Sequence, residues 1–195
     1  YCTLTYFMTF GTFAGMAAAF PMMIKSLYVP LESDLDPLKF AFYGPLIGSA
    51  TRVFFGKIAD KTGGAILTHI TGIALIILFS VLIFGGFLTP TTIDQFPYFV
   101  GIVMLIFFFT GIGNAATFKQ FPMIFSDSPR KAAGVIGWTA AIAAFGPFVF
   151  NVLISTSKSI SGDARLFFGL MLFICVFATF INWKFYTKKG CERPS

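Results

Sequence analysis

The chain has 195 residues, 56% of them hydrophobic and only 11% charged, with a formal net charge of +6. Soluble domains carry about 25% charged residues, so a water-soluble globular fold is excluded. The 14 Lys and Arg form no basic run or basic face, which excludes a nucleic-acid partner, and the 28 Phe suit surfaces that face lipid or a cavity.

A helix that crosses a bilayer needs about 20 apolar residues, and six such stretches follow one another. They predict helices over Tyr1–Ile24, Leu38–Ile58, Ala65–Leu88, Tyr98–Phe125, Lys131–Ser155 and Ala164–Tyr186. The first begins at once in apolar text, without Met or a signal-peptide pattern, so the chain reads as part of a longer polypeptide. KSLYVPLESDLDP, rich in acids and proline, links it to the second. The third follows the turn ADKTGG and carries the single histidine, His69, which reads as interfacial. One histidine excludes a bis-histidine haem within this chain. The fourth stretch holds Lys119 near its end, where a lysine snorkels to the surface. TPTTIDQFP, SDSPRK and TSKSISGD are the remaining turns. Trp183 and Tyr186 close the sixth stretch as an interfacial aromatic belt would. Cys2, Cys175 and Cys191 lack metal-ligand spacing, so no metal and no cofactor are expected.

Alternating the connections between two sides places Lys57, Lys61, Arg130, Lys131, Lys184, Lys188, Lys189 and Arg193 on one side. Lys25, Lys39, Lys158 and Arg165 fall on the other, with five of the eight acids. The positive-inside rule then makes the chain start, the ADKTGG turn and the tail cytoplasmic, in a multi-pass protein of the cytoplasmic (inner) membrane.

Arg52 lies inside the second stretch, where an arginine costs about 2.5–3.5 kcal/mol on insertion scales. Gly44, Gly48 and Gly56 share its helical stripe at four-residue steps, and a small-residue stripe is expected to pack against protein. No Asp or Glu lies at its depth in any stretch. One reading is a structural arginine bonded to neighbouring carbonyls. The other is a guanidinium whose partner is an anion, its planar fork matching a planar oxyanion through paired N–H···O bonds.

GKIADKTGG, Gly56–Gly64, resembles the G-x-x-x-D-[RK]-x-G signature of the major facilitator superfamily, with Gly56, Asp60, Lys61 and Gly63 on the pattern. The basic residues that often follow are replaced by Gly64 and Ala65. The resemblance implies a gating latch, with Asp60 facing a basic residue; an ordinary helix-ending turn is the alternative. It also implies an all-α membrane protein in which residues 1–195 are one six-helix transmembrane bundle. That bundle would be the C-terminal half of a twelve-helix transporter, in a lipid bilayer beside an N-terminal six-helix half absent from this chain.

Four further strings carry a narrower resemblance: YFMTFGTFAG from Tyr6, FYGPLIGSATR ending at Arg52, GIGNAATFKQFPMIF from Gly111, and RKAAGVIGWTAAIAAFGPFVFN from Arg130. These are similar to the NarK-type nitrate/nitrite porters over essentially the whole chain. The resemblance implies that Arg52 binds the anion with a second arginine in the absent half. It implies that Tyr6 and Phe10 line the substrate cavity as an aromatic pair, and that Asn114 and Gly146 lie in signature segments near the anion. By their residues alone, Tyr6 and Phe10 equally suit plain helix packing, and Asn114 interhelical bonding. Pro147 stands where many relatives have glycine, which puts the local helix geometry at Gly146 in question.

The expected function is nitrate and nitrite transport by alternating access. A titratable group inside the membrane usually serves proton coupling, and no carboxylate is available for it here, so nitrate/nitrite exchange is favoured over proton symport. Other small oxyanions such as formate or oxalate, or a non-transporting six-helix subunit, are the alternatives. Nucleophile-elbow, zinc-protease and phosphate-loop motifs are all missing, so no enzyme is expected.

Overall fold

The computed structural model describes residues 1–195, and every regular element in it is helical. Six rods run up and down: α1 Cys2–Leu27, α2 Tyr43–Thr62, α3 Gly64–Phe84, α4 Phe96–Ile124, α5 Pro129–Ser161 and α6 Arg165–Thr187. A single helical turn, Leu38–Ala41, precedes α2, and a 3-10 turn, Ile93–Gln95, precedes α4.

Five of the rods are long and apolar enough to cross a membrane. Five of the six expected spans meet this criterion, and α2, a helix of 20 residues, is the exception. Its 20 residues include Arg52, Lys57, Asp60 and Lys61, which dilute its apolar length.

Several boundaries also differ from those expected, for local reasons. ADKTGG is not a loop: α2 continues through Thr62, and the reversal into α3 is made by Gly63 at φ +88°, a conformation glycine reaches without steric penalty. α3 stops at Phe84 rather than Leu88, because Gly86 adopts φ +77°. α5 begins at a capped end, where the Ser128 hydroxyl accepts from the Lys131 amide at 3.4 Å and Pro129 opens the first turn. It is broken at Ala144–Phe145 and resumes at Gly146, running on to Ser161. Within α1, Phe7–Gly11 forms a π-helical turn, the kind of irregularity that concentrates at functional sites.

α4 is the central and most buried rod, packed on α1, α2 and α3, while α6 lies on α3 and the second half of α5 lies on α1. Backbone approach is closest where side chains are smallest. A Cβ on Gly111 of α4 would collide with Thr51 and with the Gly48 carbonyl of α2, and one on Gly48 would meet Phe13. The expected inward-facing stripe of α2 is thus only half realised: Gly44 and Gly48 are buried, Arg52 is exposed, and Gly56 has open space before it.

Three apolar clusters fill the interior, the smallest being Ala59, Leu67, Ile112 and Ala116. The largest gathers Phe20, Phe79, Phe99, Phe107, Phe150 and Phe168 with 19 other buried residues. The second, around Tyr6, Phe121, Ala143, Ile181 and Tyr186, lies at the end that carries Gly63. Trp183 is 40% exposed, as a belt residue would be. Tyr186 differs from the expectation: it is buried, with its hydroxyl 3.9 Å from the Cys2 sulfur.

Candidate anion site and gate

Arg52 emerges from α2 onto the ring of Phe118 in α4, with its guanidinium carbon 5.0 Å from the ring centroid. No carboxylate lies within 4.0 Å of it, and no protein acceptor bonds its N–H groups. A cation over an aromatic face gains about 0.5–2 kcal/mol. That contact still leaves all five of its hydrogen-bond donors unused.

Behind Phe118 the other expected residues assemble. Phe118 and Tyr6 meet edge to face, with ring centroids 5.4 Å apart at 87°, and Tyr6 stacks on Phe10 at 5.5 Å and 24°. Phe10 stacks in turn on Phe13 at 6.0 Å. The Tyr6 hydroxyl donates to Asn114 Oδ1 at 3.4 Å, joining α1 to α4. Accessibility divides these residues. Arg52 is exposed and Phe10 and Phe118 are half-buried, whereas Tyr6 is 2% and Asn114 3% exposed. A small ion arriving from solvent therefore meets the guanidinium and two aromatic rings, with the Tyr6–Asn114 hydrogen bond as their support.

Gly146 is placed differently. It is buried where the break in α5 presses on the π-helical turn of α1, and a Cβ there would collide with the carbonyl of Gly11. It touches the backbone beside Phe10 and reaches neither Arg52 nor Asn114 through any hydrogen bond.

The second constellation lies about two turns further along α2. Asp60 pairs with Lys119 of α4 at 2.6 Å, so the facing basic residue is the lysine that the sequence assigns to snorkelling. Both side chains are about half exposed, at 54% and 46%. Lys61 projects into solvent and Gly63 makes the turn.

Two groups of residues escape a reading of the sequence. Phe118 and Lys119 are neighbours in α4 that reach different partners, Arg52 and Asp60. The next residue, Gln120, is fully buried and accepts from the Thr68 hydroxyl at 3.1 Å. It donates to Asn182 Oδ1 at 2.9 Å, and Asn182 donates to the Ala65 carbonyl at 2.8 Å. This chain of amides ties α3, α4 and α6 together. In a bilayer, small and polar residues are what hold helices together, because lipid tails are as apolar as the side chains.

Comparison with known proteins decides the family. The chain is 50% identical over 98% of its length to the probable nitrate/nitrite antiporter NarK2 of Thermus thermophilus. It is 30% identical over 92% of its length to the nitrate/nitrite transporter NarU of Escherichia coli strain K12, and 27% over 89% to the probable nitrate transporter NarT of Staphylococcus epidermidis. The chain belongs to the NarK-type nitrate/nitrite transporter family. It spans 42% of the length of each of these three relatives. No protein-family model matches it. With five helices long and apolar enough to cross a membrane, this NarK-type segment is a multi-pass membrane protein.

Proposed function

We propose that this chain is the C-terminal six-helix half of a secondary transporter that moves nitrate and nitrite across the cytoplasmic membrane. The observation that carries the reading is Arg52: an exposed guanidinium without a carboxylate, seated on Phe118 beside the Tyr6–Phe10 stack. The names of the relatives, nitrate/nitrite antiporter and nitrate/nitrite transporter, support the choice of anion.

Nitrate is planar and singly charged. Two N–H groups of Arg52 align with two of its oxygens, and bonds of this type are shorter and about twice as strong as neutral ones. Phe10 and Phe118 exclude water and offer ring edges of partial positive charge to the anion's oxygens. Tyr6 and Asn114, bonded to one another, hold the aromatic group in place, and Gly146 lets α5 close on α1. In this reading α2 is the sixth span, its arginine facing the cavity rather than lipid. The partner half would cover the open faces of α2 and α5, where a Cβ on Gly56, Gly134 or Gly137 would meet nothing within 4 Å.

Gly56, Asp60, Lys61 and Gly63 act as the gate, with Asp60–Lys119 latching α2 to α4 when the cytoplasmic end is closed. An empty cavity with an uncompensated arginine reorients unfavourably, because desolvating an isolated charge costs several kcal/mol. Exchange of nitrate for nitrite by alternating access follows, with the chain start and the tail in the cytoplasm.

The test is counterflow by the full-length transporter in proteoliposomes. Nitrate uptake is expected to require internal nitrite or nitrate and to ignore a pH gradient. Uptake driven by a pH gradient and indifferent to internal anion would overturn exchange in favour of proton symport. Competition by formate or oxalate as strong as that by nitrite would overturn the choice of nitrate.

A further inference from the structure

At the end of the bundle opposite Gly63, a cavity of about 380 Å³ opens between the last turns of α1 and α5 and the segment after α3. Ser26, Pro30, Thr89, Lys158, Gly162 and Asp163 are among the residues that line it. Lys158 donates from Nζ to the Ser26 hydroxyl at 2.6 Å. An ammonium has three donors, so two remain free. Asp163 is the only acid in the wall, and its carboxylate is already engaged. Arg165 binds it through Nε at 2.7 Å, through a terminal nitrogen at 2.6 Å and through its backbone amide at 2.8 Å. Neither Asp163 nor Glu32, which follows the lining residue Leu31 in sequence, comes within 4.0 Å of Lys158. The pocket thus holds one uncompensated positive charge, while its end of the molecule carries five acids against four bases.

We propose that this pocket is a second oxyanion site, which captures a small, still hydrated, singly charged oxyanion on the side opposite the Asp60 gate. Its position separates it from Arg52: Ser26 lies 20 residues beyond Tyr6 in α1, about 30 Å along the helix. Its size fits an ion that keeps its water. At about 30 Å³ per water molecule the cavity holds an anion together with most of a first hydration shell. Free donors from Lys158 and the exposed Thr89 hydroxyl replace only part of that shell. A cationic pocket on an otherwise acidic face raises the local anion concentration and the association rate, and salt screens that effect.

The purpose of the site rests on the transport reading, but its occupancy does not, and the experiment separates the two. In the full-length transporter, a membrane-impermeant acylating reagent labels Lys158 and the exposed Lys39 at the same end, each read by mass spectrometry. At constant ionic strength, nitrate is expected to slow labelling of Lys158 by about threefold or more and to leave Lys39 unchanged, also in an Arg52→Lys background. Equal labelling with and without nitrate overturns the site, as does protection that disappears with Arg52→Lys. Protection by anionic phospholipid alone, with nitrate inert, likewise overturns it, since the occupant would then be a lipid headgroup. For purpose, Lys158→Gln is expected to raise the KM for nitrate at that face several-fold at low salt, with kcat unchanged, while Lys158→Arg restores it. A KM and salt dependence equal to the parent's remove the capture role. Protection of Lys158 in the parent transporter, with no nitrate uptake or counterflow by that same protein, would sink the transport reading and leave this site standing.

Discussion

At the scale of single residues, Arg52 and Tyr6 make separable predictions. Arg52→Lys keeps the charge and loses the planar fork, so nitrate uptake by the full-length transporter should fall by at least about tenfold while membrane insertion is normal. Near-parental uptake would return Arg52 to a structural role. Tyr6→Phe removes one donor and leaves Asn114 Oδ1 buried without its partner. An orphaned buried acceptor costs about 1–3 kcal/mol, so a lower Tm in detergent should accompany a higher KM. An unchanged Tm would show that water reaches Asn114. Arg52 was legible because a permanent charge in apolar text demands a reason. Phe118, Lys119 and Gln120 were not, because successive helical residues point about 100° apart, and their partners lie on α2, α3 and α6.

Between helices, the contacts that hold or release the bundle are short and local. The break in α5 meets the π-helical turn of α1 at Gly146 and Gly11, with no room for a side chain. Gly146→Leu should therefore force the two rods apart and reduce the yield of folded transporter, overpacking costing about 1–3 kcal/mol or more. Full yield and activity for that variant would mean that the rods need not touch. The Asp60–Lys119 pair is half exposed, so its worth is about 0.2–1 kcal/mol, the size of a bias rather than of a lock in the proposed gate. Asp60→Lys and Lys119→Asp should each slow exchange, and combining them should restore part of the rate. A double variant no faster than either single one would detach the pair from gating. The motif Gly56, Asp60, Lys61, Gly63 was visible as spacing, but not that its aspartate sits on a continuous helix rather than in a loop.

For the whole molecule, orientation and pH response can be measured without knowing the substrate. Cys191 in the tail is expected to react with an impermeant thiol reagent only from the cytoplasmic side, and a cysteine placed at Lys39 only from the other. Labelling of both from one side would break the up-and-down arrangement. Arg165 beside it holds the Asp163 carboxyl below the usual carboxylate range. A depressed folded value means that the clamp contributes fully above the unfolded value of about 3.9 and is lost as pH falls through the folded value. Its share of stability should be flat from about pH 8 to 5 and drop below about pH 4, and Asp163→Asn should remove that share. A variant whose acid profile matched the parent's would show that the clamp contributes nothing.

By itself the sequence determined that this chain belongs in a bilayer, that its helices alternate in direction, and that one charge among them requires a partner. Those properties follow from composition, from the length of apolar runs and from the distribution of Lys and Arg, all of which are linear in the chain. Tertiary structure alone decided that α2 carries its arginine onto Phe118, that Lys119 answers Asp60, and that Tyr6 and Asn114 are shut behind the rings. It also decided that Lys158 faces a polar pocket. Each of these depends on which sides of separate helices meet, and that choice is made by the close approach of small residues such as Gly48, Gly111 and Gly146, whose partners lie tens of residues away.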